Sequence, residues 1–343
     1  MQKEEEHVVV FYEGQDDLIE ILATSICSIC CQTTSFVDVF ILDCGVSDVH
    51  KRLLETLKQR FHNVSLTYVP VDLSRFAGLK GWGSAGKFLD CYARLLFPGL
   101  RPDIHKAIYL DSDVMALGDI RELYDVDLEG FAIAAAPDLG CDATIFDNCV
   151  RNLNVSKQHV FANAGVVVVD CDAWRRDDIG SRLLRLAMEK KDFLNIIIEE
   201  LFCMYFNGNR YKRLDLRFCM SDRINCIQHV NAPFITDEYV RNEWLHAVIQ
   251  HITPTKMWKF LRNDRGGECR NFSLFWFFAK MTPYYEGMLA KYMFITSEAI
   301  GNAYHHTVKK ILFFKIIPVY VIRGSGSIKY RLFNKITIWK EIY

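Results

Sequence analysis

The chain has 343 residues, half of them hydrophobic, with 41 Lys and Arg against 42 Asp and Glu. That length gives one large domain or two modest ones with a sizeable core, and the near-zero balance argues against a general nucleic-acid binder. No stretch reaches the length of a membrane-spanning helix, and the acidic start, Met1 to His7, has no apolar signal region.

The elements follow from the apolar pattern. His7 to Tyr12 predicts a buried strand, Glu13 to Asp17 a polar turn, and Leu18 to Ile29 a helix. Cys27-x-x-Cys30 lies in that apolar helix with no second pair nearby, so core packing outweighs zinc or redox work. Cysteines flanked by apolar residues and unpaired fit a reducing compartment. A strand from Val37 to Asp43, a helix from Ser47 to Phe61 and a strand from Ser65 to Pro70 complete β-α-β-α-β, the opening of a doubly wound α/β sheet. Ligands bind such sheets beyond the carboxyl ends of the strands, which makes Glu13 to Asp17 a candidate ligand loop. Phe88 to Phe97 reads as a helix carrying Arg94. Phe131–Ala136 and Gly165–Asp170 read as strands, and 183–192 and 197–206 as helices.

The pivotal stretch is Ile108-Tyr109-Leu110-Asp111-Ser112-Asp113-Val114. A buried strand runs into two carboxylates that face the same way, since residues i and i+2 of an extended chain share a side. Their repulsion is relieved by a cation between them, and oxygen ligands suit Mn²⁺ or Mg²⁺. The plain alternative is a solvated loop or helix cap, because Asp is common after strands.

Further along stand Asp119-Ile120-x-x-Leu123-Tyr124, then Phe161-Ala162-Asn163-Ala164-Gly165 leading to Asp170, then Trp174-Arg175, and finally His251-Ile252-Thr253-Pro254-Thr255-Lys256-Met257-Trp258. In this order and spacing the motifs resemble the retaining glycosyltransferases of family 8, notably bacterial lipopolysaccharide and lipooligosaccharide α-hexosyltransferases. The resemblance runs from about Val8 to Tyr285.

That resemblance implies a GT-A fold, with a Rossmann-like mixed sheet flanked by helices, a UDP-hexose donor and Mn²⁺. Asp111 and Asp113 match the family's metal carboxylates, and His251 its third protein ligand. Lys256 matches the diphosphate-contacting lysine, Arg94 an arginine that reaches the donor, and Asn163 and Ala164 the segment along the donor sugar. Glu13, Gln15 and Asp17 fall near the uracil- and ribose-contacting positions. The family's Asp-Gln-Asp-x-x-Asn aligns with Ile198, Glu199, Glu200 and Cys203, which puts Glu199 or Glu200 at the position discussed as a catalytic participant. The plain alternative for these two is a pair of solvent-facing helix charges. Met257 replaces the proline of Lys-Pro-Trp.

The composition shifts after Tyr285, so residues 1–285 read as the catalytic domain and 286–343 as a separate C-terminal region. From Asn302 onward, Lys309, Lys310, Lys315, Arg323, Lys329, Arg331, Lys335 and Lys340 face one acid, Glu341, with aromatics interleaved. Such a segment fits the surface of an anionic membrane, as peripheral contact at the inner face of the cytoplasmic membrane, rather than a span. The alternative is a tail folded onto its own domain.

Taken together, the sequence predicts a metal-dependent retaining hexosyltransferase that acts on a saccharide or glycolipid acceptor and binds no nucleic acid. Two other readings stand beside it. One is a haloacid dehalogenase-type phosphatase, which also carries Asp-x-Asp after a strand. The other is a catalytically weak relative that binds a nucleotide sugar or glycan.

Overall fold

Runs rich in β-branched and aromatic residues build the centre of the computed structural model, which describes residues 6–81, 88–140, 143–221, 232–253 and 271–291, and strand backbones between 307 and 342. β1 (His7–Gly14), β2 (Phe36–Asp43) and β3 (Val64–Pro70) lie parallel, as the opening pattern predicts. α1 (Ile19–Gln32) links the first two strands, and α2 (Asp48–Glu55) with α3 (Leu57–Arg60) links the next two. One continuous helix is expected over 47–61; the observed break is at Thr56, whose hydroxyl donates to the Leu53 carbonyl at 2.7 Å. Cys27 and Cys30 are buried in α1 and unbonded, in keeping with core packing.

The expected helix at 88–97 is instead a tighter 3₁₀ segment, Asp90–Leu96, followed by the short α4 (Phe97–Leu100). Pro98 has no N–H to return to the Arg94 carbonyl, and the Leu95 carbonyl is taken by the Trp174 indole at 3.2 Å. Both facts remove α-type bonds. β4 (Lys106–Leu110) then runs up the middle of the sheet and β5 (Val114–Ala116) leaves it.

α5 (Arg121–Tyr124), β6 (Ile133–Pro137), α6 (Ala143–Asn152) and β7 (Ala162–Asp170) follow, then α7 (Cys171–Arg176), α8 (Ile179–Lys190) and α9 (Ile198–Tyr205). After β8 (Lys212–Arg213) and β9 (Met220–Ser221) come α10 (Asp237–Leu245), β10 (Ile249–His251) and α11 (Phe272–Ala279).

The main sheet has the order β3-β2-β1-β4-β7-β6-β8. It is mixed, because β7 runs antiparallel to both β4 and β6. A second small sheet, β5-β10-β9, stands beyond the tip of β4. Under the main sheet Phe11 stacks on Phe97 at 4.0 Å between ring centres and meets Tyr109 edge-on at 5.2 Å.

The chain divides into two compact units, one of residues 1–254 with 273–283, the other of 255–272 with 284–343. Within the second, β11 (Thr307–Phe313), β12 (Ile317–Gly324), β13 (Ser327–Leu332) and β14 (Ile336–Ile342) form an antiparallel meander in chain order. Among the described residues no helix is long and apolar enough to cross a membrane.

α8 lies against the segment that carries Arg94. A Cβ on Gly180 would stand 2.4 Å from the Leu95 carbonyl oxygen, a backbone atom that cannot swing aside. Alanine in a helix interior normally gains about 1 kcal/mol over glycine, but here overpacking costs more. Gly180→Ala should therefore lose about 1–3 kcal/mol, as read by urea denaturation.

Candidate active site

The acidic tip of β4 is fixed by backbone bonds on both sides. The Asp111 N–H donates to the Gly165 carbonyl at 2.8 Å, extending the β4–β7 ladder past its end. The chain then turns, and β5 pairs with β10 so that Val114 faces His251. The Ile252 N–H donates to the Asp113 carbonyl at 2.8 Å. Strand pairing thus brings His251 to the Asp-x-Asp turn.

His251 Nε2 lies 3.2 Å from Asp113 Oδ1 and 3.5 Å from Asp111 Oδ2. One ligand atom from each of the three residues falls within 4.8 Å of the others. Two carboxylate oxygens and one imidazole nitrogen form a donor set that suits Mn²⁺, with positions left for a ligand's oxygens. Gly165 makes the close approach possible, since a Cβ there would sit 2.4 Å from His251 Cε1 and 2.7 Å from Asp111 Oδ2. Burial works against the imidazolium, but the Asp113 carboxylate outweighs it and holds the ring's pKa well above the ordinary histidine value.

Beside these three side chains stands Arg94. Its guanidinium binds Glu13 through two nitrogens, at 2.8 and 3.0 Å, reaches Asp111 Oδ1 at 3.1 Å and donates to the Ala164 carbonyl at 2.9 Å. It also covers the Tyr109 ring at 4.0 Å, and the Tyr109 hydroxyl donates to Asp111 Oδ1 at 2.6 Å. Arg94 and Glu13 therefore brace the Asp111 carboxylate from inside. Burial pushes the Glu13 carboxyl up to about 7 against the pull of Arg94. Gln15 precedes the 3₁₀ turn Asp16–Leu18 in extended backbone, and Asp17 is exposed on that turn, beyond the end of β1.

Asn163 is buried. Its Oδ1 accepts the Gly165 N–H at 2.9 Å and the Cys219 thiol at 3.3 Å, and its amide donates to Asp138 Oδ1 at 3.3 Å. Tyr109, Cys219 and Asp138 are site residues that the sequence reading passes over. Tyr109 had a signal, because it sits two residues before Asp111 on the same side of the strand. Asp138 follows a strand end. Nothing in the sequence singles out Cys219.

The two glutamates at the start of α9 prove different from each other, and neither is a solvent-facing charge. Glu200 is fully buried. Its Oε2 accepts the N–H groups of Asn195, Ile196 and Ile197, and its Oε1 accepts the amides of Asn148 and Asn195 at 3.2 Å each. These bonds hold a turn in which Ile197 has a φ of 58°, a strained value for a β-branched residue. Glu199 is half-buried, near Asp138, Arg94 and Asp111. Burial first, and then Asp138, push its carboxyl up to about 8. Lys256, Met257 and Trp258 lie outside the described residues.

Glu200→Ala should cost about 3 kcal/mol in denaturant unfolding, because it strands buried N–H groups. Glu199→Gln should do the opposite at high pH. A carboxyl whose folded pKa is raised from 4.5 to about 8 loses stability as pH rises through that window. The stability of the wild type relative to Glu199→Gln should fall from about pH 4.5 to about 8 and level off above, as read from melting curves at stepped pH.

Comparison with known proteins bears on the family and the fold. A family model described as glycosyl transferase family 8 matches residues 9–261. Glycosyltransferase GlyB of Streptococcus pneumoniae is 28% identical over 283 residues, which cover 78% of this chain and 61% of GlyB. General stress protein A of Bacillus subtilis is 26% identical over 158 residues, 46% of this chain and 52% of that protein. The match thus spans only about three fifths of GlyB and half of the stress protein. Among solved structures, the galactosyltransferase LgtC in complex with donor and acceptor sugar analogues superposes with a TM-score of 0.67 at 19% identity, over 82% of this chain and 100% of that one. Bifunctional WbbM gives 0.67 at 19% identity, over 85% of this chain and 53% of that one. These likenesses show the GT-A fold, and in this chain the acidic pair ends the fourth strand. A dehalogenase-type pair would instead open its domain, so the phosphatase alternative does not fit. With the family model spanning most of the chain, this protein belongs to glycosyl transferase family 8.

Proposed function

We propose that the protein transfers a hexose, galactose or glucose, from a UDP-sugar to a saccharide acceptor on a surface glycan such as lipopolysaccharide or lipooligosaccharide, with retention of configuration. The observation that carries this reading is the convergence of Asp111, Asp113 and His251 at the carboxyl end of β4, against a glycine that leaves room for them. Family membership supplies the reaction class. The named activity of LgtC motivates the choice of hexose.

A bound divalent cation would neutralise charge that gathers on the departing diphosphate. The chain's own residues do the rest. Arg94 and Tyr109 orient Asp111 through its Oδ1 and leave Oδ2 toward the cation side. Asn163 and Ala164 are assigned to the donor sugar, Gln15 and Asp17 to the nucleoside, and Lys256 to the diphosphate, following the family pattern. Glu199 is the one of the two helix carboxyls available for chemistry, since Glu200 is committed to backbone N–H groups. Near neutral pH Glu199 is largely protonated, which suits a hydrogen-bond donor to the sugar or acceptor better than a standing nucleophile.

The basic C-terminal unit is assigned to peripheral contact with an anionic membrane, where the acceptor glycolipid would lie. Its support is the excess of Lys and Arg over acid after Asn302.

Slow hydrolysis of UDP-galactose or UDP-glucose with Mn²⁺ present tests the central reading. Asp111→Asn and Asp113→Asn should each cut it by a factor on the order of a thousand, a loss of several kcal/mol of charge stabilisation. Full activity in either variant, or indifference to a chelator, would overturn it. Because the cation must displace a proton from His251, Mn²⁺ affinity should rise with pH by up to about tenfold per unit across neutrality. Sedimentation with vesicles tests the tail. Removing residues 302–343 should abolish salt-sensitive binding to anionic lipid and spare hydrolysis.

A further inference from the structure

His251 has two ring nitrogens, and only one faces the carboxylates. Nε2 does so, whereas Nδ1 lies 3.9 Å from the sulfur of Cys219, the residue just before β9. Cys219 is buried and sits outside the three-residue ligand cluster. We infer that Cys219 is the positioning residue for His251: its sulfur accepts the Nδ1 proton and so leaves the Nε2 lone pair for a divalent cation.

The proton assignments follow from one backbone group. The Gly165 N–H can only donate, so the Asn163 side-chain atom that it meets at 2.9 Å is the oxygen. That same oxygen is 3.3 Å from the Cys219 sulfur, so the sulfur must supply the proton of that contact and is a thiol. Its proton spent on Asn163, the sulfur offers only lone pairs to His251. Nδ1 therefore carries a hydrogen, and the neutral ring has its free pair on Nε2. A histidine that binds a cation through one nitrogen is oriented by whatever accepts from the other. Carboxylates and carbonyls are the usual acceptors there. A thiol is weaker and softer, and here it ties the metal-facing histidine to Asn163, which in turn holds Asp138 beside Glu199.

β9 and β10 explain why Cys219 can do this. They pair in parallel with Ser221 opposite His251, which sets residue 219 beside the ring rather than in front of it. The thiol thus stands at the Nδ1 edge and is not a fourth ligand.

This inference rests on the divalent-cation reading given above, and the test separates the two. Mn²⁺ affinity is measured by electron paramagnetic resonance for the full-length wild type, Cys219→Ser, Cys219→Val and Cys219→Ala, each checked for a native melting transition. Val matches the volume without hydrogen bonding, Ser keeps a donor and an acceptor, and Ala covers the case in which Val fails to fold. Val or Ala should bind Mn²⁺ about tenfold more weakly or worse, and Ser should recover most of that loss. Affinity for UDP without metal should stay unchanged in all of them. Wild type that binds no Mn²⁺ overturns the cation reading and this inference with it. Wild-type affinity in Val and Ala overturns this inference alone, as does Ser binding as weakly as Val. A sulfur-to-metal charge-transfer band in the Co²⁺-loaded wild type would make Cys219 a ligand and likewise overturn the positioning role.

Discussion

Asp111, Asp113, Glu13, Asp138 and Glu199 crowd one end of a buried sheet, where like charges repel strongly. Arg94 and His251 are the cations that make the crowd tolerable. Arg94 reaches in four directions, to Glu13, Asp111, the Ala164 carbonyl and the Tyr109 ring, so removing it would leave Glu13 without its ion pair and Asp111 with only Tyr109 and His251. Glu13 and Glu199 respond by holding protons well above the usual carboxylate range. The site therefore stores a demand for positive charge on the side where Asp111, Asp113 and His251 meet.

Meeting that demand depends on how the chain leaves the main sheet. β4 ends at Leu110, and its carbonyl-end turn is captured on one side by β7 and on the other by β10. Both captures are backbone hydrogen bonds, indifferent to side-chain identity. Side-chain identity enters at Gly165, where any larger residue would collide with His251 and Asp111. The fold brings two sheets together at one turn, and a missing methyl group lets Asp111 and His251 close on each other.

α9 illustrates how adjacent residues divide labour. Glu200 and Glu199 differ by one helical step, about 100°, which sends one carboxyl under the helix and the other toward the carboxylate cluster. Glu200 ties down a strained turn at Ile197, and Glu199 keeps a proton beside Asp138. The strained turn and the two carboxyls lie side by side at the start of α9.

Much of this was legible in the chain itself. Apolar patterning marked β1, β2, β3 and the strand before Asp111 to within a residue or two, because the inner strands are largely apolar and the edge strand β3 alternates between buried and partly exposed residues. The i, i+2 spacing of Asp111 and Asp113 suggests a shared cation only together with the apolar run before it and the motifs after it, and motif order brings in His251. Helix details were less legible. The break at Thr56 and the 3₁₀ winding around Arg94 come from a side-chain hydroxyl and a tertiary bond to the Leu95 carbonyl. What only the tertiary structure decided were the partners. The motif offers Arg94 as a donor contact but does not show its partners within the chain, Glu13 and Asp111, 81 and 17 positions away. Cys219 carries no local signal, because its importance comes from a strand pairing that sets it beside His251, 32 residues on. Local pattern determines which segments are buried; which carboxylate meets which cation is decided by long-range strand register, and no window of sequence contains it.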